Sequence, residues 1–371
     1  MFYKNIQGLR AIAALMVVFT HSFLPLTPMR EHWPPLVGAI GPSGVDLFFV
    51  ISGFVVFLSA DRLGKSAEVT GMLRALREFV VRRAFRIYPV YWIAFAVASL
   101  VLVLMPTAEL FPAGMAQQPW WKLALLADQP NNRIMPAWTL QFEMVFYVMC
   151  AVGILLFPRR IVAVLALWFA VVLYVWTADV YNPSVFMATI VLEFAFGIFV
   201  ALLIERKFTE YAVSSLAIGF GGLLIGAAYY HLHDPAGAWA LSPMWRVMCF
   251  GLPSSFIVYG FVAVELRQMW TFSKAWIHLG DASYSLYLWH QLLFAIMAAI
   301  YGQLGLVGKI NEYVLWLSLF AVIIPFSFFS FYQIERRINK SGWVARLAGV
   351  GGKKSDSPNR STTVLARSAG R

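Results

Sequence analysis

The residues able to do chemistry in this chain are few, and they stand inside apolar runs. Arg10 and His21 share the first such run, eleven positions apart. Eleven helical steps return to within about 20° of three full turns and rise about 16 Å, so both side chains lie on one helix face. A cation then sits below an imidazole, a group that exchanges protons near neutral pH. Arg10 alone also reads as an anchor snorkelling to lipid phosphate, and His21 as a packed polar residue bonded to a neighbouring helix. Because an ionisable group in hydrocarbon is costly, a use for His21 is the favoured reading.

Other polar groups recur in the same setting. Gly44-Val45-Asp46-Leu47-Phe48-Phe49-Val50-Ile51-Ser52-Gly53 places a carboxylate one turn inside a helix end, either as a complement to the helix dipole or as a partner that orients His21. Ser52 and Gly53 suit close helix packing. Arg82, Arg83 and Arg86 cluster on about half a helical circumference, with Arg74 and Arg77 on the same segment. Guanidiniums so grouped bind phosphates bidentately, while Arg74 and Arg77 equally suit anionic lipid. Trp138-Thr139-Leu140-Gln141-Phe142-Glu143 opens another run, with Trp138 suited to an interfacial belt and Glu143 an acid in need of a partner. In Ser283-Tyr284-Ser285-Leu286-Tyr287-Leu288-Trp289-His290, Tyr287 and His290 share a face and Ser283 lies one turn below Tyr287. His290 also reads as a satisfied core histidine. Glu193 is a further carboxylate in an apolar run, without a motif around it.

The elements that must position these groups are membrane helices. Of 371 residues 60% are hydrophobic and 13% charged, with mean hydropathy +0.71, which excludes a water-soluble enzyme. Apolar runs predict about ten helices, near 7–27, 42–60, 86–105, 138–157, 161–178, 184–204, 211–231, 245–264, 276–301 and 311–334. The fold class is therefore all-α, a polytopic membrane bundle. With a cytoplasmic N-terminus, 24 of the 29 Lys and Arg fall on the inner side and five on the outer, which supports ten spans with both termini inside. The net charge of +11 is thus topological, and nucleic acid is not expected as a partner. The first run is read as a retained helix, since Arg10 and His21 interrupt it and no small-residue cleavage site follows. Segments 61–85 and 106–137 read as helices lying at an interface. Residues 1–340 form the membrane domain, and 341–371 a basic, largely disordered cytoplasmic tail. Cys150 and Cys249 fall inside expected spans, so neither a disulfide framework nor a zinc site follows from them.

Taken together, Gly8-Leu9-Arg10 with His21, the 44–53 segment, Arg83-Ala84-Phe85-Arg86-Ile87-Tyr88-Pro89, the 138–143 segment and the 283–290 segment resemble the acyltransferase 3 family of integral membrane acyltransferases. The length resembles its exopolysaccharide acetyltransferase branch rather than the longer members with an esterase-like domain. The resemblance implies transfer of an acyl group, usually acetyl, from coenzyme A in the cytoplasm to a sugar hydroxyl, in a bacterial inner membrane. It implies a carbohydrate acceptor, lipid-linked or polymeric, acetyl-CoA as co-substrate and no metal. Arg82, Arg83 and Arg86, with Arg10, would hold the nucleotide phosphates. His21 would act as general base or carry the acyl group itself. Asp46 or Glu143 would orient His21, and Tyr287 or Ser283 would donate to the oxyanion. His290 and Trp138 stand with these as acceptor-side residues. The competing class is a proton-coupled transporter, which predicts paired halves that the sequence lacks.

Overall fold

The computed structural model describes residues 2–23, 38, 40–104, 119–127, 134–180, 184–233 and 243–349. Among them the architecture is helical throughout, with no strand. Its elements are α1 (Lys4–His21), α2 (Ser43–Thr70), α3 (Met72–Leu104), α4 (Trp120–Ala124), α5 (Trp138–Leu156), α6 (Ile161–Thr177) and α7 (Leu192–Glu205). They continue with α8 (Ala212–His233), α9 (Met244–Leu266), α10 (Lys274–Asp281), α11 (Ser283–Gln303), α12 (Glu312–Ser330), α13 (Arg336–Asn339) and α14 (Gly342–Leu347). Seven helical stretches among the described residues are long and apolar enough to cross a membrane, and the apolar α6 has 17 residues. Each expected run therefore has a helix at its place, with α1 and α7 shorter or less apolar than the rest.

The segment 61–85 departs from expectation. It is not a separate interfacial helix, because α2 continues to Thr70 and α3 begins at Met72. Loss of hydrophobicity does not end a helix when charged pairs at i,i+4 replace it, and Asp61–Lys65 and Glu78–Arg82 do so here. Only Gly71, at φ 89°, breaks the run. Of the segment 106–137, α4 is described and lies against α3, its carbonyls accepting from Tyr91 (2.5 Å) and Trp92 (2.9 Å). Residues 105–118 and 128–133 lie outside the described residues. In the expected tail, α14 packs on α3 through Trp343 against Phe85 and Arg77 donating to the Leu347 carbonyl. Residues from 350 onward, including the stretch after Gly351 expected to be disordered, lie outside the described residues.

Two devices place the helices that carry the candidate residues. The start of α1 is capped by Glu265 of α9, whose carboxylate accepts from the backbone of Lys4 (2.8 Å) and Asn5 (2.7 Å). These are donors a helix leaves orphaned at its first turn. Asn5 adds bonds to the carbonyls of Phe261 and Trp270 and accepts from Phe272, so the base of α1 is fixed at several points. The second device is the α2–α7 crossing, where Gly53 and Gly197 face the opposite backbone. A Cβ on Gly53 would overlap Phe194, and one on Gly197 would overlap Val50 and Phe54. Glycines thus let two backbones touch, the close packing expected of the 44–53 segment. α9 and the end of α12 each contain a π turn, at Val247–Gly251 and Phe331–Glu335.

Candidate active site

A cavity lies between α1, α2, α3, α5 and α11. Its wall on α2 runs from Val45 to Val56, eleven positions or about 16 Å of helix, so the space is long. Polar groups collect where Arg10, Ser52, Arg83, Arg86, Glu143 and Tyr147 meet. Phe48, Thr139 and Tyr287 close the other end. Three helices therefore supply the guanidiniums and carboxylate that the sequence singled out.

At the cationic end each charge has a distinct setting. Arg86 pairs with the fully buried Glu335, which also accepts from Ser285 Oγ at 3.0 Å. Arg83 lies 5.6 Å over the rings of both Phe79 and Tyr147, and its buried Nε has no hydrogen-bond partner. Arg10 donates to Gln7 at 3.2 Å. Glu143 accepts from Ser52 Oγ at 3.1 Å and from the Tyr147 hydroxyl. Three guanidiniums thus face one carboxylate in the cavity and a second behind it, leaving an excess of one positive charge suited to an anion. Arg82 does not join them. It is exposed and paired with Glu78 at 2.9 Å, because one helical step turns it about 100° from Arg83, whereas Arg86 at i+3 returns to the same face.

His21, at the last turn of α1, is half-buried, and it meets the fully buried His290. His290 Nδ1 lies 2.5 Å from the Tyr287 carbonyl, and His290 Nε2 lies 3.1 Å from His21 Nδ1, itself 2.9 Å from the Val17 carbonyl. A carbonyl only accepts, so in the neutral pair this network assigns the His290 proton to Nδ1 and leaves Nε2 as an acceptor. His21 Nδ1 then carries the second proton, shared between Val17 and His290. The Nε2 lone pair of His21 is left for other chemistry.

The partners expected for His21 are elsewhere. Asp46 is fully buried and gripped by Arg246 through Nε (2.8 Å) and Nη2 (2.9 Å), and Arg246 also lies 5.9 Å over the Trp138 ring. Glu143 stands level with Ser52, six positions further along α2. Neither carboxylate orients His21, since each is engaged by another side chain; the imidazole is oriented by the Val17 carbonyl and a second imidazole. Trp138 stacks edge-on with Phe142 and is not a cavity wall. The Tyr287 hydroxyl is held by Thr139 Oγ1 (2.8 Å) and the Pro136 carbonyl (3.1 Å), so it is not free to serve an oxyanion. Ser283 Oγ, buried in the cavity wall, has no partner and does have a proton to give. Neither histidine lines the cavity, but Tyr287 does, with its ring 5.8 Å from that of His290 and its carbonyl against His290 Nδ1.

Sequence reasoning passed over Glu335, Arg246 and Tyr147. Arg246 was visible only as an isolated cation at the start of an apolar run. Tyr147 sits at i+4 from Glu143, a spacing that invites a hydrogen bond. Glu335 was legible only as an acid near the end of the last apolar run.

The family model for acyltransferase 3, described as an acyltransferase domain, matches residues 3–332. The exopolysaccharide production protein ExoZ of Rhizobium meliloti (strain 1021) is 30% identical over 334 residues, covering 85% of this chain and 96% of that protein. O-acetyltransferase OatA of Staphylococcus aureus (strain NCTC 8325 / PS 47) is 24% identical over 383 residues, covering 93% of this chain and 58% of its own length. This chain therefore spans little more than half of that relative. No solved structure matches.

Proposed function

The chain belongs to the acyltransferase 3 family, and from that premise we propose that it is a membrane O-acetyltransferase. In this reading it moves acetyl from acetyl-CoA to a sugar hydroxyl of a surface polysaccharide or its lipid-linked precursor. The observation that carries the reading is a long cavity with Arg10, Arg83 and Arg86 at one end and the His21–His290 pair near the other. Guanidiniums suit the donor phosphates, and a pantetheine arm suits the apolar length beyond them. The span of about 16 Å from Arg10 to His21 is of the order of that arm.

His21 supplies the base. Its free Nε2 takes the hydroxyl proton as the acceptor oxygen attacks the thioester carbon. The carbon–sulfur bond then breaks and the proton passes to the departing thiolate. A variant of the same chemistry acylates His21 first and passes the group on in a second step. Either route requires Tyr287 to swing aside or the thioester to pass beside its ring. Ser283 supplies an uncommitted donor on the cavity wall, and Glu143 would tune the charge beside Arg83.

The seven long apolar helices, with α1, α6 and α7, would make ten crossings. That arrangement puts both termini on the cation-rich cytoplasmic face of a bacterial inner membrane. The reading is tested with purified protein, radiolabelled acetyl-CoA and a polysaccharide acceptor. Transfer should fall about 10²- to 10⁴-fold in His21→Ala, the usual worth of a positioned base, with the melting temperature preserved. Undiminished transfer by that variant removes His21 from the chemistry. Counterflow of a solute without acyl transfer would instead establish a transporter.

A further inference from the structure

The buried face of α12 passes through Leu315, Leu319, Ile323, Ser327 and Ser330, in steps of four or three residues. Continued in α register, that stripe would next turn Ile334 inward. The π turn at Phe331–Glu335 contains one extra residue, so Glu335 takes the interior place, 1% exposed, while Ile334 is only half-buried. Such turns in helices occur often at functional sites. A carboxylate taken so far from water needs partners for both oxygens, and both are engaged. Oε1 meets Arg86 and Oε2 accepts from Ser285 at 3.0 Å. Arg86 lines the cavity and Glu335 does not, so the carboxylate grips the guanidinium from behind. Tyr284 holds it from a second side, with Arg86 5.7 Å over its ring and its hydroxyl fixed 2.8 Å from the Ile87 carbonyl.

We propose that Glu335 is a positioning residue for donor recognition, fixing Arg86 so that its remaining N–H groups present a preformed anion site to the cavity. The proposal rests on the reading of that end of the cavity as the donor phosphate site. A guanidinium has five N–H donors, and one carboxylate leaves several for a phosphate. Arg10 and Arg83 share the same space, so an uncompensated third cation would be driven away from it by like-charge repulsion. Glu335 offsets that repulsion without occupying the cavity. It also ties the last long helix of the described chain to the donor site.

The test uses the full-length protein with acetyl-CoA as the varied substrate. Glu335→Gln keeps the shape and removes the charge. It should raise the donor KM about tenfold with kcat and the acceptor KM held, and Glu335→Asp should recover part of the loss. In an Arg86→Ala background, Glu335→Gln should add less than about twofold, because the two act through one contact. Ser285→Ala, which removes one bond to Glu335, gives a smaller rise in donor KM and serves if Glu335→Gln fails to fold. A fall in donor KM in Glu335→Gln would mean that the carboxylate competes with the donor, and the proposal is then wrong. It is equally wrong if the effect persists undiminished without Arg86. Should Arg86→Ala itself leave the donor KM unchanged, the donor-site reading fails and takes this proposal with it. A rise in Arg86→Ala with none in Glu335→Gln or Ser285→Ala rejects the positioning role alone.

Discussion

A neutral imidazole serves as a base only while its unprotonated nitrogen is held toward the hydroxyl it must relieve of a proton. Carboxylates commonly enforce that tautomer, and the sequence reading assigned the task to Asp46 or Glu143. Two acceptors do it here: the Val17 carbonyl directly, and His290 Nε2, whose accepting state the Tyr287 carbonyl fixes by holding the proton on Nδ1. The consequence is testable by substitutions that keep or lose an acceptor at that place. His290→Gln can return an oxygen toward His21 Nδ1 and should lower kcat by about tenfold. His290→Leu leaves only the Val17 carbonyl to hold His21 Nδ1–H and should lower kcat further than His290→Gln, while staying above the activity of His21→Ala. The donor KM should hold in both, since neither touches the guanidiniums. Steady-state kinetics on the two variants decide it, and wild-type kcat in His290→Leu would show the pair to be mere packing.

At the scale of elements, the site depends on α1 standing at a fixed height and rotation, because Arg10 and His21 project from one face of it. Glu265 sets that height by capping the first turn, and Asn5 sets the rotation. Glu265→Ala should cost about 0.5–2 kcal/mol, as loss of an N-terminal cap does, read as a lower melting temperature in detergent. Glu265→Gln, which keeps an acceptor, should fall between it and the parent. Equal melting temperatures in all three would show that α1 is held by its packing alone. The helices themselves were legible because apolar runs of membrane length admit little else. Their true ends in the 61–85 region were not, since hydropathy cannot see a helix continued by Asp61–Lys65 and Glu78–Arg82 pairs. The π turns were equally hidden. Nothing in Phe331–Glu335 announces an extra residue per turn, yet that residue decides whether Ile334 or Glu335 faces the bundle.

For the whole molecule, which groups would matter was more legible than which would meet. Arg10 and Glu143 could be found because each is costly in its apolar run, and Arg83 and Arg86 because they cluster, and the four do converge on one cavity. The pairings Asp46–Arg246, Arg86–Glu335 and His21–His290 join positions about 200, 249 and 269 residues apart, and no local spacing encodes them. Charge asymmetry is the one global property that sequence does carry, and it makes a claim about the assembled chain. If 24 cations mark one face and the chain crosses ten times, the α7–α8 connection at Arg206 and the α11–α12 connection at Lys309 lie on opposite sides. Both positions are exposed, and the native thiols are Cys150 and Cys249, so replacing these by serine gives a clean background. Arg206→Cys should then react with a membrane-impermeant maleimide only after the cells are opened, and Lys309→Cys in intact cells with a permeabilised outer envelope. Labelling of both from the same side would require an even number of crossings between them in place of the three that α8, α9 and α11 make.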